Sequence, residues 1–481
     1  IWIAAEDMDP ELMRMEPSLL NADSPFVALH HEVVNWLQAR RQSIDFDDSH
    51  LQVMFDQCKA LIIGLQKRGA VVGSSLNTAY LLERLSQTLE RLETLMAIFV
   101  SNRYLPRRIL LLTGCFARAA AERHSISRLW KQSSGLMARS VTQNAGDHGE
   151  HYITRDKKEY WAMFYSAAGG GVLIALMALF KTYLGSIIDD KVWKGIAEGL
   201  NYGLGFMVIF MLHFTVATKQ PAMTAARFAE AVEKTPQGKT VNMKLAQLLV
   251  DVFRSQSIAV LGNVLIAMGL AALIAFGYQY KTGEPLMNAD QIAYQLHSID
   301  PFAGTLWFAA IAGVWLFCSG IISGYFDNRS NYLNMRMRLA QHPLLKKLMS
   351  EKTRVKFANY MHENYGSLIG NLCFGMLLGI TGVVGYLTHL PLDIRHVAFS
   401  SANVGYIAVS GHFTYSLLLQ CIGFVLLIGL VNLIVSFSLT LWVALRSLNA
   451  EIDSWWPIWH EVCQIVKKRP LSLFLPVQLD K

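Results

Sequence analysis

Four sets of residues have types and spacings that chemistry could use. His148 and His151 stand three apart with Glu150 between them. On one helix face, two imidazoles and a carboxylate could hold zinc or iron. No second cluster of firm spacing completes four ligands. A salt-bridged collar at a membrane surface is therefore the favoured reading of that stretch, and no metal or other cofactor is expected. The second set is Asn201, His213, Thr215, Lys219 and Gln220, along and just after an apolar run. Amide and ionisable groups are costly in hydrocarbon and mark pathways by default. The plainer reading has His213 hydrogen-bonded to a neighbouring helix and Lys219 anchored among headgroups. The third set is Asp393, Arg395 and His396, at the entrance of a Ser-, Gly- and Asn-rich segment (391–411) that contains Asn403. That segment is too polar to face lipid. It reads as a re-entrant piece or hairpin lining a cavity, or as an ordered loop. The second and third sets are the expected substrate pathway. The fourth set is Gly169, Gly170 and Gly171. A phosphate-binding loop would continue with Gly-Lys-Ser/Thr, but Val172, Leu173 and Ile174 follow, so the triplet reads as close helix packing.

The elements that position these residues are set by hydropathy. Of 481 residues, 53% are hydrophobic and 16% charged. Trp161–Ser186 is interrupted by one full charge, Lys181, and its first 20 or so residues make a helix about 30 Å long, enough to cross a bilayer. Five more runs follow, near Leu200–Ala217, Ile258–Tyr278, Phe302–Tyr325, Leu368–Leu387 and Tyr415–Leu445. Six spans return both termini to one side. The connection Lys219–Arg254 carries six Lys/Arg and Arg329–Lys356 carries eight, against four in the three alternate connections. The basic side is the cytoplasmic one by the positive-inside rule. Topology and anionic headgroups account for the net charge of +7, so nucleic acid is not an expected partner.

Residues 1–155 hold no run long enough to span and read as a cytoplasmic helical domain. Helices are expected near Pro25–Arg41, Ser49–Lys67, Ser75–Phe99 and Arg107–Met137. In the third, Leu82, Leu85, Leu89, Leu92, Met96 and Phe99 form one apolar seam, suited to a bundle core or, alternatively, to a dimer. The fold class is thus all-α: this domain, a six-helix membrane domain over 156–450 and a cytoplasmic tail over 451–481. The connection at 327–366 is an interfacial amphipathic helix or packs on the N-terminal bundle. The six cysteines form no CxxC pair, which fits a reducing compartment or lipid.

Several stretches occurring in order resemble one bacterial family: GEHYITRDKKEY before the Gly triplet, LNYGLGFMVIFMLHFTVATKQPAMTA, AQHPLLKKL and PLDIRHVAFSSANVG. The resemblance covers most of 140–450. The family carries the name site-specific recombinase, and its members are inner-membrane proteins of Gram-negative bacteria, longer than this chain. The resemblance implies the same membrane, and segments outside this numbering. It brings no catalytic residues with it. None of the fourteen histidines is followed three residues later by Arg, the HxxR pattern a tyrosine recombinase would bring. The leading expectation is a transport- or envelope-associated membrane protein without a recognisable catalytic centre. The alternatives are a scaffold recruiting proteins through its helical domain, a membrane metalloenzyme, and the recombinase of the family name. Expected partners are the bilayer, proteins and further copies of the chain.

Overall fold

The computed structural model describes residues 10–16, 24–42, 48–73, 75–99, 105–122, 153–154, 156–217, 225, 228, 231–232, 239–409, 413–447, 452 and 454–476. Among the described residues there is no strand. The helices are α1 (Pro10–Met15), α2 (Pro25–Arg41), α3 (Asp48–Val72), α4 (Leu76–Phe99), α5 (Leu105–Glu122), α6 (Lys157–Ile187), α7 (Lys191–Met211), α8 (Lys239–Thr282), α9 (Ala289–Ile299), α10 (Thr305–Tyr332), α11 (Met335–Gln341), α12 (Pro343–Leu348), α13 (Glu351–Thr388), α14 (Val397–Ala408), α15 (Tyr415–Ser447) and α16 (Trp456–Lys468). The chain divides into two compact units: Ile1–Ser140 with Asn328–His362, and Val141–Asp327 with Glu363–Lys481.

In the first unit, α1 to α4 share one core. Leu82, Leu85, Leu89 and Met96 of the leucine seam are buried with Leu12, Phe26, Trp36, Phe55 and Leu65, and Leu92 is partly buried against them. Burial of each such leucine contributes roughly 1.5–3 kcal/mol. Arg14 donates to Gly73 O and Tyr332 O, each at 2.8 Å, and its guanidinium lies 4.3 Å from the Tyr332 ring centroid. Gly73 has φ +82, and a Cβ there would run into the Tyr332 backbone, so both the conformation and the close approach demand glycine.

Among the described residues of the second unit, five helices are long and apolar enough to cross a bilayer: α6, α8 from Met243, α10, α13 and α15. Five of the six runs expected to span fall on these helices. The expected span Leu200–Ala217 is instead α7, which starts at Lys191 and stops at Met211. Lys191, Lys194 and Glu198 occupy its first half, and the chain turns at His213, φ +57. Small residues let the long helices approach closely, which matters in lipid because no hydrophobic drive holds helices together there. A Cβ on Gly171 would lie 2.8 Å from Asn263 O, and one on Gly262 2.8 Å from Phe164 O. On α7, Gly199 and Gly203 lie against Met376 and Leu372 of α13.

Exposed aromatics gather near helix ends. Trp161 and Tyr165 open α6, and Trp455, Trp456 and Trp459 surround the start of α16. Tyr183, Trp193, Tyr280, Trp307, Tyr386 and Tyr415 sit at or near the opposite ends of the long helices. Amphipathic rings favour the two membrane–water interfaces.

Candidate functional site, a polar cavity among the helix ends

A cavity of about 470 Å³ opens within the second unit. Its walls come from the last turns of α6 (Ala178–Gly185), the first half of α7 (Lys194–Tyr202), α9 with its cap (Met287–Ser298), the connection Asp393–His396 and the start of α14 (Phe399–Asn403). Three cations, Lys181, Lys194 and Arg395, face three carboxylates, Glu198, Asp290 and Asp393.

Two of these charge pairs are made. Lys181 Nζ lies 3.4 Å from Glu198, and its ammonium stands 5.6 Å from the Tyr202 ring centroid. Arg395 binds Asp393 at 2.5 Å. Its Nε donates to Ser298 O at 2.8 Å, and it stacks over Phe308 at 5.3 Å. Pairing lowers the cost of holding charge where water is scarce. Lys194 and Asp290 have no ion-pair partner among the described residues.

The walls are held by side chains that cap or brace. Asp190 accepts from Val192 N and Trp193 N and starts α7. Asn288 and Gln291 form a capping box that starts α9. Asn432, fully buried in α15, donates to Ala309 O at 2.7 Å and Arg395 O at 3.0 Å. It also accepts from Val397 N at 3.2 Å. α14 has twelve residues, ten of them buried. At 1.5 Å per residue it is about 18 Å long, too short to cross a bilayer. Its Tyr406 hydroxyl donates to Ala175 O at 2.7 Å. His396, 1% exposed, lies among the rings of Phe206, Phe374 and Phe399.

Of the residues read from the sequence as a pathway, Asp393, Arg395, His396 and Asn403 come together in this cavity. The others do not join them. Asn201 ties α7 to α6 by donating to Met177 O at 2.9 Å. His213 is exposed in the turn after α7; its backbone oxygen accepts from Ser166 Oγ at 3.0 Å. Thr215 pairs with Ser166, hydroxyl to hydroxyl at 2.9 Å. Lys219 and Gln220, and the metal candidates His148, Glu150 and His151, lie outside the described residues. Among the described residues no group of three metal ligands occurs.

The segment after α7 packs against the glycine triplet. A Cβ on Gly169 would meet the Phe214 ring, and one on Gly170 would lie 2.5 Å from Thr215 O. Asn263 of α8, 1% exposed, secures the crossing. It donates to Ala167 O at 2.5 Å and Thr215 O at 2.9 Å and accepts from Ala217 N at 2.9 Å.

Sequence reasoning missed Lys181, Glu198, Tyr202, Asp290, Asn263, Ser400 and Asn432. Lys181 and Glu198 did carry a signal, being charges on neighbouring apolar helices. The buried asparagines carried the same signal more weakly.

A family model described as site-specific recombinase matches residues 1–476. No curated protein and no solved structure matches the chain.

Proposed function

The chain belongs to the site-specific recombinase family, and from its geometry we propose that it is a transport- or envelope-associated inner-membrane protein that binds a small polar solute in the cavity beside Lys181 and Glu198. The observation that carries this reading is a charge-lined space of ligand size among helices otherwise built for lipid. On this reading α7 is a sixth crossing. It is 21 residues long, about 31 Å. Lys194 and Glu198 turn to the cavity rather than to lipid, so composition alone understates it. Six crossings would leave both basic connections, the N-terminal residues and the C-terminus on the cytoplasmic side.

The test uses the full chain in lipid nanodiscs and in liposomes, screened with neutral, cationic and anionic solutes for binding and for flux. Binding that is lost in Glu198→Gln supports the reading. If no solute binds or crosses, the reading fails. The proposal does not include DNA recombination, and retention of duplex DNA at low salt, where phosphate contacts are strongest, would reopen it.

One observation favours a scaffold as a second reading. Within the first unit a groove of about 610 Å³ runs between α3, α4 and α5, lined by Leu51, Phe55, Glu93, Met96, Arg108 and Leu111 among others. A partner captured by the full chain and lost on Leu111→Glu, but not on Glu198→Gln, would support it.

A further inference from the structure

We propose that the solute carries a carboxylate and that this group docks at the N-terminus of α14. The inference rests on the solute-binding reading and narrows it to a chemical class. The first turn of a helix leaves N–H groups without intrahelical partners, and a buried helix start must satisfy them from elsewhere. α6, α7 and α9 do so with Asp156, Asp190 and Asn288. α14 starts at His396, which makes no side-chain cap hydrogen bond. Val397 N–H goes to Asn432, and Ser400 N–H closes the first turn on His396 O at 3.0 Å. The N–H groups of Ala398 and Phe399 meet no acceptor among the described residues.

A second observation points the same way. Ser400 is 5% exposed and lines the cavity, yet its hydroxyl has no hydrogen-bond partner among the described residues. Asn403, one turn further along the same face, also lines the cavity, and its amide is likewise without a partner there. Phe399, Ser400 and Asn403 all line the cavity, so an N–H group, a hydroxyl and a carboxamide stand together at a helix start, where the helix dipole favours negative charge. The surrounding charges limit how negative the group can be. Lys181 and Arg395 already hold carboxylates, which leaves Lys194, beside Gly185, as the one cavity cation without an ion-pair partner among the described residues. A monoanion meets Lys194, and the unpaired Asp290 is left for a cationic group of the same solute; a dianion would confront Glu198, Asp290 and Asp393. Monocarboxylates qualify, and so do zwitterionic amino acids, whose ammonium could face Asp290.

The experiment titrates the full chain in nanodiscs with acetate through hexanoate, the twenty amino acids, the primary amides of these acids, inorganic phosphate and a set of neutral polyols. Melting temperature and calorimetry are the readouts. At least one carboxylate is expected to raise the melting temperature with dose, while its amide does not. Ser400→Ala, with its ligand-free melting temperature unchanged, is expected to weaken binding about tenfold or more, the size of a lost hydrogen bond to a charged group. Lys194→Gln serves as a second variant, should Ser400→Ala fold poorly, and should weaken binding too. Equal binding of acid and amide, preference for phosphate, or carboxylate binding indifferent to both variants would overturn the inference. Polyols that bind and are lost in Glu198→Gln would overturn it while leaving the solute-binding reading intact. No binding by any compound would end both.

Discussion

Asn432 Oδ1 accepts the backbone N–H of Val397 at 3.2 Å, and its amide nitrogen reaches Arg395 O and Ala309 O. One fully buried side chain of α15 thus fixes both the residue before His396 and the residue after it, and so aims the start of α14. Asn432→Val keeps bulk but orphans the buried Val397 N–H and removes the donor to Arg395 O and Ala309 O. The expected cost is about 1–3 kcal/mol, toward the low end because interhelical hydrogen bonds in membranes are modest. Reversible unfolding in mixed micelles measures it. A change below a few tenths would mean that the loop holds its course without Asn432.

Lys181 and Glu198 predict a sign rather than a size. Removing one partner leaves a charge with less to hold it, whereas removing both leaves none. Lys181→Met and Glu198→Gln should each destabilise more than the double variant does. Lys181 is 39% exposed on its side chain, so the coupling should stay near 1 kcal/mol or below. Additive single effects in a double-mutant cycle would contradict a functional pair.

What the sequence showed of this site followed hydropathy. An apolar run as long as Trp161–Phe180 announces a membrane helix, because it is long enough to span and its backbone is satisfied internally. The leucine seam of α4 announced a buried face equally well. α7 was misplaced because its polar half faces a cavity. A hydropathy window counts Lys194 and Glu198 as it would count charges in water, so the run was read as starting at Leu200. His213 stood out as an ionisable group in an apolar run. The backbone turns there and leaves the ring exposed, which periodicity alone does not reveal. Asp393, Arg395, His396 and Asn403 were legible as a group since their segment is apolar yet too polar to face lipid. Their partners Ser298 and Asn432, on other helices, could be found only by packing.

The first unit carries a pH prediction. Glu93 accepts from Lys59 Nζ at 2.8 Å and from Gln52 at 3.3 Å. The Lys59 hydrogen bond holds the Glu93 carboxyl below its ordinary value of 4.5, against an opposing push from burial. A carboxyl whose folded pKa is depressed stabilises fully above the unfolded value and loses that contribution as pH falls through the folded one. Glu93→Gln should therefore cost stability at pH 6, and the gap to wild type should close below pH 4.5. Both side chains are partly exposed, so the gap at pH 6 should be under about 1 kcal/mol. A gap that widens in acid would refute the assignment.

Two glycines of the membrane unit should respond oppositely to the same methyl group. At Gly170 a Cβ would sit 2.5 Å from Thr215 O and 3.1 Å from the Asn263 amide nitrogen. The first neighbour is backbone and the second is held by its own hydrogen bonds, so neither yields cheaply. Gly170→Ala should cost roughly 1–3 kcal/mol through overpacking. Gly269 lies within α8, and a Cβ there meets nothing within 4 Å. Gly269→Ala should be neutral or stabilising by up to about 1 kcal/mol, since alanine restricts the unfolded chain and favours helix. Comparing the two variants by thermal unfolding in one detergent cancels effects common to any added methyl. Similar losses at both sites would mean that the glycines serve flexibility in general, not the passage of Phe214 and Thr215 beneath α6.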